Sequence, residues 1–433
     1  MEYCTRCLYP LNAKPTIIFD EEDGVCSGCR YHESRESNLA NIDWDDREKK
    51  FATLCEEAKK MAKDRGNSYD CIIPVSGGKD SHYQVWLAKE KYGMNPLLVT
   101  YNHAFNSPAG NRNLLNLVEK SGCDFVRYTA GLDSVRKLSR HMLHTVGDLT
   151  WHYHAGILTL PFRVAVEKNI PLIIWGEHGY AELTGIVSLE DFVEFTKWTR
   201  KEHAMRGIEA HELVGQADIT EKDIFPYIYP EDKEIERVGV RGIYMSNFFK
   251  WDGKTQGEIM MREWNFAPVT YERDRTFNLY SKIEDHANDV HDYLKYLKFG
   301  YGRATDDATT EIRHGRMTRE EGAELVKRYD STVPRTLECY CEFMGISVEE
   351  FYKIVEPMRD TTIWKKNDSN EWKVTDAIFK HEITEMNECV RVKQSADRIF
   401  SDVNSKLYFN PGKPPPSSGE YALDNYPIKF NVL

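Results

Sequence analysis

Ile72-Ile73-Pro74-Val75-Ser76-Gly77-Gly78-Lys79-Asp80-Ser81 sets an apolar run against a Gly-Gly turn flanked by hydroxyls. The segment that follows, His82 to Tyr92, suits a helix. The order is therefore strand, tight loop, helix N-terminus. The first N–H groups of a helix have no intrahelical partner, and the helix dipole favours an anion in front of them. Gly77 and Gly78 permit positive φ and a close backbone approach. Ser76 and Ser81 add hydroxyl donors, Lys79 a positive charge, and Asp80 a carboxylate suited to Mg²⁺. Together these groups suit a polyphosphate.

The loop is not a Walker A motif, because Asp80 follows Gly78-Lys79 where that motif requires Ser or Thr. Nor is it the dinucleotide fingerprint, whose third glycine is replaced here by Ser81. The string S-G-G-K-D-S instead resembles the pyrophosphate loop (PP-loop) of ATP pyrophosphatases, which cleave ATP between the α and β phosphates. The resemblance implies ATP and Mg²⁺ as cofactors and Ser76, Gly77, Gly78, Lys79, Asp80 and Ser81 as the nucleotide cradle. It implies a catalytic part for Lys79 and Asp80.

The chain has 433 residues, enough for two or three domains. Its 41% hydrophobic and 29% charged content is that of an ordinary globular protein. No apolar run is long enough for a transmembrane helix, and the N-terminus has no apolar signal core, so a cytoplasmic protein without a membrane partner is expected. A net charge of -12 argues against a general nucleic-acid binder. The ten cysteines are too sparse for a disulfide scaffold.

Four of them form two C-x-x-C pairs, Cys4/Cys7 and Cys26/Cys29, separated by 18 residues, a spacing that suits one Zn²⁺ site. Four thiolates leave no open position, so the metal's role is structural, and it supports a module too poor in apolar residues to fold alone. Gly24-Val25-Cys26-Ser27-Gly28 also matches G-x-C-x-G, a nucleophile elbow for glutamine hydrolysis. An elbow needs a buried strand before it, and Asp20-Glu21-Glu22-Asp23 is not one. No glutaminase is expected within this chain.

Beyond the zinc module (1–40) comes a linker helix (41–66), with Phe51, Leu54, Ala58 and Met61 on one face. Residues 67–250 alternate strands with helices. Strands are expected at Cys71–Val75, Leu97–Asn102, Phe125–Thr129 and Leu172–Trp175, and helices at Ser81–Tyr92, Gly110–Lys120, Ser134–Leu143 and Ile157–Lys168. That pattern predicts an α/β fold with a parallel sheet covered on both faces and ligands at the strand carboxyl ends. Those ends place Asn102 and His103, then Gly176, Glu177 and His178, beside the Ser76–Ser81 loop. Asn102, His103 and Gly176 are nucleotide-binding candidates. Glu177 and His178 are catalytic candidates, although His178 also reads as a hydrogen-bonded loop histidine. His152 and His154 stand two apart, so on a helix they do not form a metal pair.

Residues 251–410 read as a helical substrate-binding region, and 411–433 as an extended Pro-rich tail. Glu284 to Phe299 reads as a helix ending at Gly300, and Thr318 with Glu321, then Ser347 with Glu350, as capping boxes. Lys298, Arg303, Arg313, Arg316 and Arg319 fall within 22 residues beside flexible glycines. This cluster reads equally as a solvated helical face or as an anion-binding segment.

Taken together, the chain resembles the N-acetyl sugar amidotransferase family. Cys4-Thr5-Arg6-Cys7 with its second C-x-x-C, the S-G-G-K-D-S loop, and the strings KFGYGRATD (298–306) and GRMTREE (315–321) carry the match. The resemblance implies conversion of a sugar acetamido group to an acetamidino group, for O-antigen sugars or nonulosonic acids such as pseudaminic acid. It marks Tyr301, Arg303, Arg313 and Arg316 for the N-acetyl sugar. It implies ammonia from a separate glutaminase resembling that of imidazole glycerol phosphate synthase, in some cases with its cyclase-like partner. A tRNA thiolation enzyme is the alternative, with Cys123, Cys339 and Cys341 as sulfur carriers. The acidic charge and the lack of an RNA-binding motif weigh against it. A zinc-ribbon scaffold that only senses ATP is a third reading.

Overall fold

Five short apolar strands form one sheet in the computed structural model, which describes residues 2–13, 17–36, 42–383, 398–400 and 406–412. They are β1 (Cys71–Pro74), β2 (Pro96–Asn102), β3 (Phe125–Thr129), β4 (Leu172–Trp175) and β5 (Arg241–Tyr244). The order is β3-β2-β1-β4-β5 and every pairing is parallel. The chain winds outward from β1 through β2 to β3, then returns to the other edge of β1 for β4 and β5. The reversal lies between β1 and β4, and in open α/β sheets the ligand crevice opens outside the carboxyl ends at that point. The sheet is the expected α/β parallel architecture. The fifth strand escaped the sequence pattern because it is four residues long, begins with an exposed arginine and contains a glycine.

Successive side chains of a strand face opposite sides, and the two faces have separate cores. Ile72, Leu97, Val99, Tyr101 and Ile173 pack on one side with the helices Leu132–Val146 and Trp151–Lys168. Cys71, Ile73, Leu98, Leu172, Ile174 and Ile243 pack on the other. That second face takes Phe51, Leu54, Cys55 and Ala58 from the helix Trp44–Asp64. The segment read as a linker is therefore a structural layer of the α/β core. Its buried Phe51 alone is worth about 1.5–3 kcal/mol. Met61, read on the same face, is 39% exposed, and Ala62 is buried in its stead.

The C-terminal helices do not stand apart either. Val290, Leu294 and Leu297 of Ala287–Phe299, with Leu337 and Phe351 farther on, belong to the same core as β2. The helices Arg303–Arg313 and Arg319–Tyr329 build a further core with Phe277, Tyr280, Leu8 and Tyr408. Gly300 ends its helix in the left-handed conformation, and Thr318 and Glu321 cap each other reciprocally, both as read. Ser347 accepts from the N–H of Glu350 at the start of Val348–Val355. Apart from Pro411 and Gly412, the Pro-rich tail lies outside the described residues.

Candidate active site

The loop after β1 has the geometry its sequence implies. Gly77 has φ +86°, and a Cβ there would lie 2.7 Å from the carbonyl oxygen of Gly110, so both the backbone and the space require glycine. The Ser76 N–H donates to Ser81 Oγ at 2.9 Å, and the Gly78 N–H to Ser76 Oγ at 3.3 Å. The helix Lys79–Trp86 begins directly after, and its N-cap, Gly78, supplies no side chain to the first turn. The helix thus presents its opening N–H groups to the crevice. His82 fixes the turn from behind. Burial pushes its pKa down to about 4, so the ring is neutral and its Nδ1–H donates to the carbonyl of Gly78 at 2.9 Å.

Lys79 Nζ lies 2.6 Å from Asp80 Oδ2 and 5.6 Å from the centre of the Tyr280 ring. Burial opposes its charge, but Asp80, Glu177 and Glu284 outweigh that effect and raise its pKa. The second oxygen of Asp80, Oδ1, is buried with no hydrogen-bond partner. An orphaned carboxylate oxygen beside a phosphate-suited loop fits a hard cation such as Mg²⁺.

Glu177, in the loop after β4, meets Lys79 across the crevice. The protein ringing its carboxylate and the charge of Asp80 push its pKa up to about 7, against the pull of Lys79. Glu177 is nevertheless exposed to solvent, which tempers that shift. Gly176 before it leaves room for the Gln84 amide, which a Cβ there would displace.

The other candidates from these loops serve the scaffold. His178 Nδ1 accepts from the Ala181 N–H at 3.2 Å and caps the short helix Gly179–Thr184. The structure thus gives His178 its loop-histidine reading. Asn102 donates to Thr129 Oγ1 and accepts from the Ala104 N–H and Asn106 Nδ2, all within its own loop and the adjacent strand. His103 is buried between Asp285, at 3.4 Å, and the Tyr153 ring. Burial lowers its pKa to about 3, so it is neutral.

Three of the four residues assigned to the sugar reach the same crevice as Lys79 and Glu177: Arg303, Arg313 and Arg316. The hollow holds about 810 Å³ including its open mouth. Each arginine is already engaged. Arg303 makes a bidentate pair with Asp292 at 2.8 and 2.9 Å. Arg316 grips Asp252 at 3.0 and 3.1 Å and Glu311 at 2.5 Å. Arg313 donates to the carbonyls of Leu183 and Glu182, and lies 3.5 Å from Cys26 Sγ. Tyr301 does not reach this crevice. It is buried against the four-cysteine cluster, between the Tyr9 ring and Lys295.

Sequence reasoning missed several of the lining residues. His32 and Arg35 come from the helix Ser27–Glu36, which follows directly on Cys26, and Arg35 is paired with Glu182 at 2.5 Å. Asp252, Tyr280 and Lys282 complete the wall. Isolated polar residues far apart in sequence carry no local pattern, so only the fold reveals them. Cys123 and Cys341, sulfur carriers in the thiolation reading, are buried in core packing, Cys339 is half-buried, and none of the three lines the crevice.

Among the described residues, one group of three or more His, Cys, Asp or Glu side chains converges tightly enough for a metal: Cys4, Cys7, Cys26 and Cys29, all buried, with sulfurs within 4.8 Å of one another. Cys4 and Cys29 sulfurs are 3.9 Å apart, and those of Cys7 and Cys26 3.6 Å. Tetrahedral zinc with bonds of about 2.3 Å needs sulfur separations of about 3.8 Å. The N–H groups of Cys7 and Cys26 point at Cys4 Sγ, and that of Cys29 at Cys26 Sγ, as suits thiolate charge. These residues fit Zn²⁺. With Cys26 drawn into this cluster, its G-x-C-x-G string is part of a cysteine knuckle, not an elbow. Among the described residues, no helix is long and apolar enough to cross a membrane.

Residues 271–378 match the family described as "LPS biosynthesis protein WbpG-like, C-terminal domain". Both strings that carried the family resemblance, 298–306 and 315–321, fall inside this matched segment, so the C-terminal part of the chain is similar to an LPS-biosynthesis domain. An uncharacterized protein of Methanocaldococcus jannaschii is 27% identical over 123 residues, 28% of this chain. The aligned part spans only 41% of that relative's length. Among solved structures, an NH3-dependent NAD synthetase from Campylobacter jejuni aligns with 46% of this chain and 92% of its own, at 14% identity and a TM-score of 0.26. An NMN synthetase from Francisella tularensis aligns with 46% of this chain and 94% of its own, also at 14% identity and 0.26.

Proposed function

We propose that the chain is an ATP-dependent sugar amidotransferase of bacterial surface-glycan synthesis, which adenylates the acetamido oxygen of an N-acetyl sugar and lets ammonia displace AMP. The observation that carries this reading is a shared wall. Lys79 of the phosphate-suited loop after β1 and three arginines from the WbpG-like segment line one crevice.

The chemistry follows from the weakness of an amide as an electrophile. Its nitrogen feeds the carbonyl, so the oxygen must first become a leaving group. The acetamido oxygen forms a bond to the α-phosphorus of ATP, and the bond to the pyrophosphate oxygen breaks. Neutral ammonia then adds to the imidate carbon, and AMP departs with the electron pair of the C–O bond. The nitrogen sheds a proton in this step. Glu177, with its pKa pushed up to about 7, is matched to receive it near neutral pH. The charged Lys79 and the opening N–H groups of its helix face the charge that develops on pyrophosphate. A bound Mg²⁺, held by Asp80, would add positive charge there. The four cysteines would hold Zn²⁺ as a structural centre.

Ammonia comes, in this proposal, from a separate glutaminase of the imidazole glycerol phosphate synthase type, with its cyclase-like partner as a further component. The acceptor is an O-antigen or nonulosonic acid precursor, and the enzyme works in the cytoplasm, where ATP is available. The test is release of AMP and pyrophosphate from ATP with ammonium and a panel of free and nucleotide-linked acetamido sugars. Release that depends on one of the sugars supports the reading. Release that depends on tRNA, or no release with any acceptor, contradicts it.

A further inference from the structure

Glu284 is an acid packed on the phosphate loop that the mechanism leaves unexplained. It belongs to the WbpG-like segment, yet it lies on the phosphate loop. Its Oε1 accepts from Ser76 Oγ at 3.2 Å. A Cβ placed on Gly78 would lie 3.4 and 3.5 Å from its two carboxylate oxygens, so the side chain lies directly over the Gly-Gly turn. Glu284 is only 9% exposed, and its Oε2 is buried with no hydrogen-bond partner.

The backbone holds this position firmly. Ser107 N–H donates to the Glu284 carbonyl at 3.0 Å, and Ser107 Oγ to that of Ile283 at 2.5 Å. His286 N–H donates to the Phe105 carbonyl at 3.0 Å. Gly110 has no side chain, and a Cβ there would lie 2.5 Å from the Glu284 backbone. The loop after β2 and the helix Pro108–Ser121 are thus shaped around the segment that carries Glu284.

The charge balance at the loop is then unusual for an anion site. Lys79 is surrounded by three carboxylates, those of Asp80, Glu177 and Glu284, and Lys282 also acts on Glu177. A free polyphosphate would enter against a surplus of negative charge. Two of these acids keep one buried oxygen without a partner, Asp80 Oδ1 and Glu284 Oε2. Hydrogen bonds do not satisfy these oxygens, and a hard divalent cation would.

We infer that Glu284 and Asp80 together ligate the divalent cation that accompanies pyrophosphate, so that the loop accepts the cation–pyrophosphate complex and rejects the free polyphosphate. The inference rests on the nucleotide reading of the loop but not on the identity of the sugar. It gives the C-terminal segment a part in the phosphate site as well as in the acceptor wall.

The test is calorimetric titration of the full-length, zinc-loaded chain with inorganic pyrophosphate and with α,β-methylene-ATP, each with and without Mg²⁺. Mn²⁺ paramagnetic resonance is read in parallel. Wild type should bind both probes only with the cation. Glu284→Gln removes the charge at nearly constant shape. It should weaken binding in Mg²⁺ by about tenfold to a hundredfold, convert the broadened signal of bound Mn²⁺ toward the sharp signal of the free ion, and tighten binding of cation-free pyrophosphate. Glu284→Asp should retain part of the Mg²⁺-dependent binding, which separates loss of a ligand from misfolding. Three results would overturn the inference: Glu284→Gln binding the Mg²⁺ complexes as tightly as wild type, wild type binding pyrophosphate equally well without the cation, or wild type binding neither probe. Failure of the amidotransferase reading looks different, with cation-dependent binding intact but no amidine formed.

Discussion

The two ends of the crevice are both crowded with charge, yet they are wired differently. At the arginine end every guanidinium is matched: Arg303 with Asp292, Arg316 with Asp252 and Glu311, Arg313 with main-chain carbonyls beside Cys26. At the loop end one lysine faces three acids, and two carboxylate oxygens have no partner. The arginine end is therefore a pre-set wall, whose fixed guanidiniums offer shape and leftover N–H groups more than net charge. The loop end is incomplete by design and awaits a cation and an anion together. Catalysis and stability should consequently separate along the crevice.

The largest expected effect lies behind the arginine wall. Cys26→Ser removes a sulfur of the four-cysteine cluster and the sulfur neighbour of Arg313. The chain should lose its zinc and its soluble fold, since a structural zinc site supplies folding free energy outright. Elemental analysis should give one zinc per wild-type chain. A metal-free chain with full activity and four titratable thiols would break this side of the comparison.

At the loop end, Asp80→Asn and Ser76→Ala should lower the release of AMP and pyrophosphate by about 10²–10³-fold. The melting temperature should stay within a few degrees of wild type, because Asp80 packs no core. Near-normal turnover in both variants would remove the loop from the chemistry.

Glu177→Gln tests the same end more finely. In wild type the acceptor-dependent rate should rise as pH passes about 7, because the proton acceptor is the ionised carboxylate and its pKa is raised to about 7. The variant should lose about 10²-fold in rate and lose that inflection. The availability of neutral ammonia also grows with pH, so the comparison is made at constant NH₃ concentration. An unchanged inflection in Glu177→Gln would assign it to another group.

Arg303→Ala and Arg316→Ala should behave in the opposite sense. Each leaves buried carboxylates without their counter-charge, at a cost of about 3–5 kcal/mol in stability. Asp292 and Asp252 are held well below the ordinary carboxylate range by these arginines and neighbouring histidines, working against burial. The destabilisation should therefore shrink as the pH falls and the abandoned acids take up protons. Among molecules that remain folded, the sugar KM should rise several-fold more than the ATP KM. Equal effects on both would move the arginines to the nucleotide end.

The same contrast explains what the sequence alone could reveal. The loop was legible because strand, glycines, hydroxyls and helix start are contiguous from Ile72 to Ser81, and each has a local physical requirement. The four-cysteine cluster was legible because the spacing of paired cysteines is itself a signature. Strands β1 to β4 could be read from apolar runs, whereas Arg241–Tyr244 could not. Trp44–Asp64 showed its apolar face, but its role as a layer of the core depends on the sheet it meets. Glu284, Asp252, His32 and Arg35 are single polar residues brought in by tertiary packing, and no local rule marks them. His178 shows the converse, since its position beside Glu177 suggested catalysis and its side chain caps a helix.

The central claim is tested most directly by incubating the purified chain, loaded with zinc and Mg²⁺-ATP, with the acetamido sugar panel and either ammonium or glutamine, and reading products by mass spectrometry. The account predicts a sugar in which oxygen is replaced by NH, with AMP formed in equal amount, in ammonium but not in glutamine. Adding a glutaminase partner should restore use of glutamine. ATP cleavage with no amidine on any sugar would contradict the account, as would amidine formation from glutamine by the chain alone.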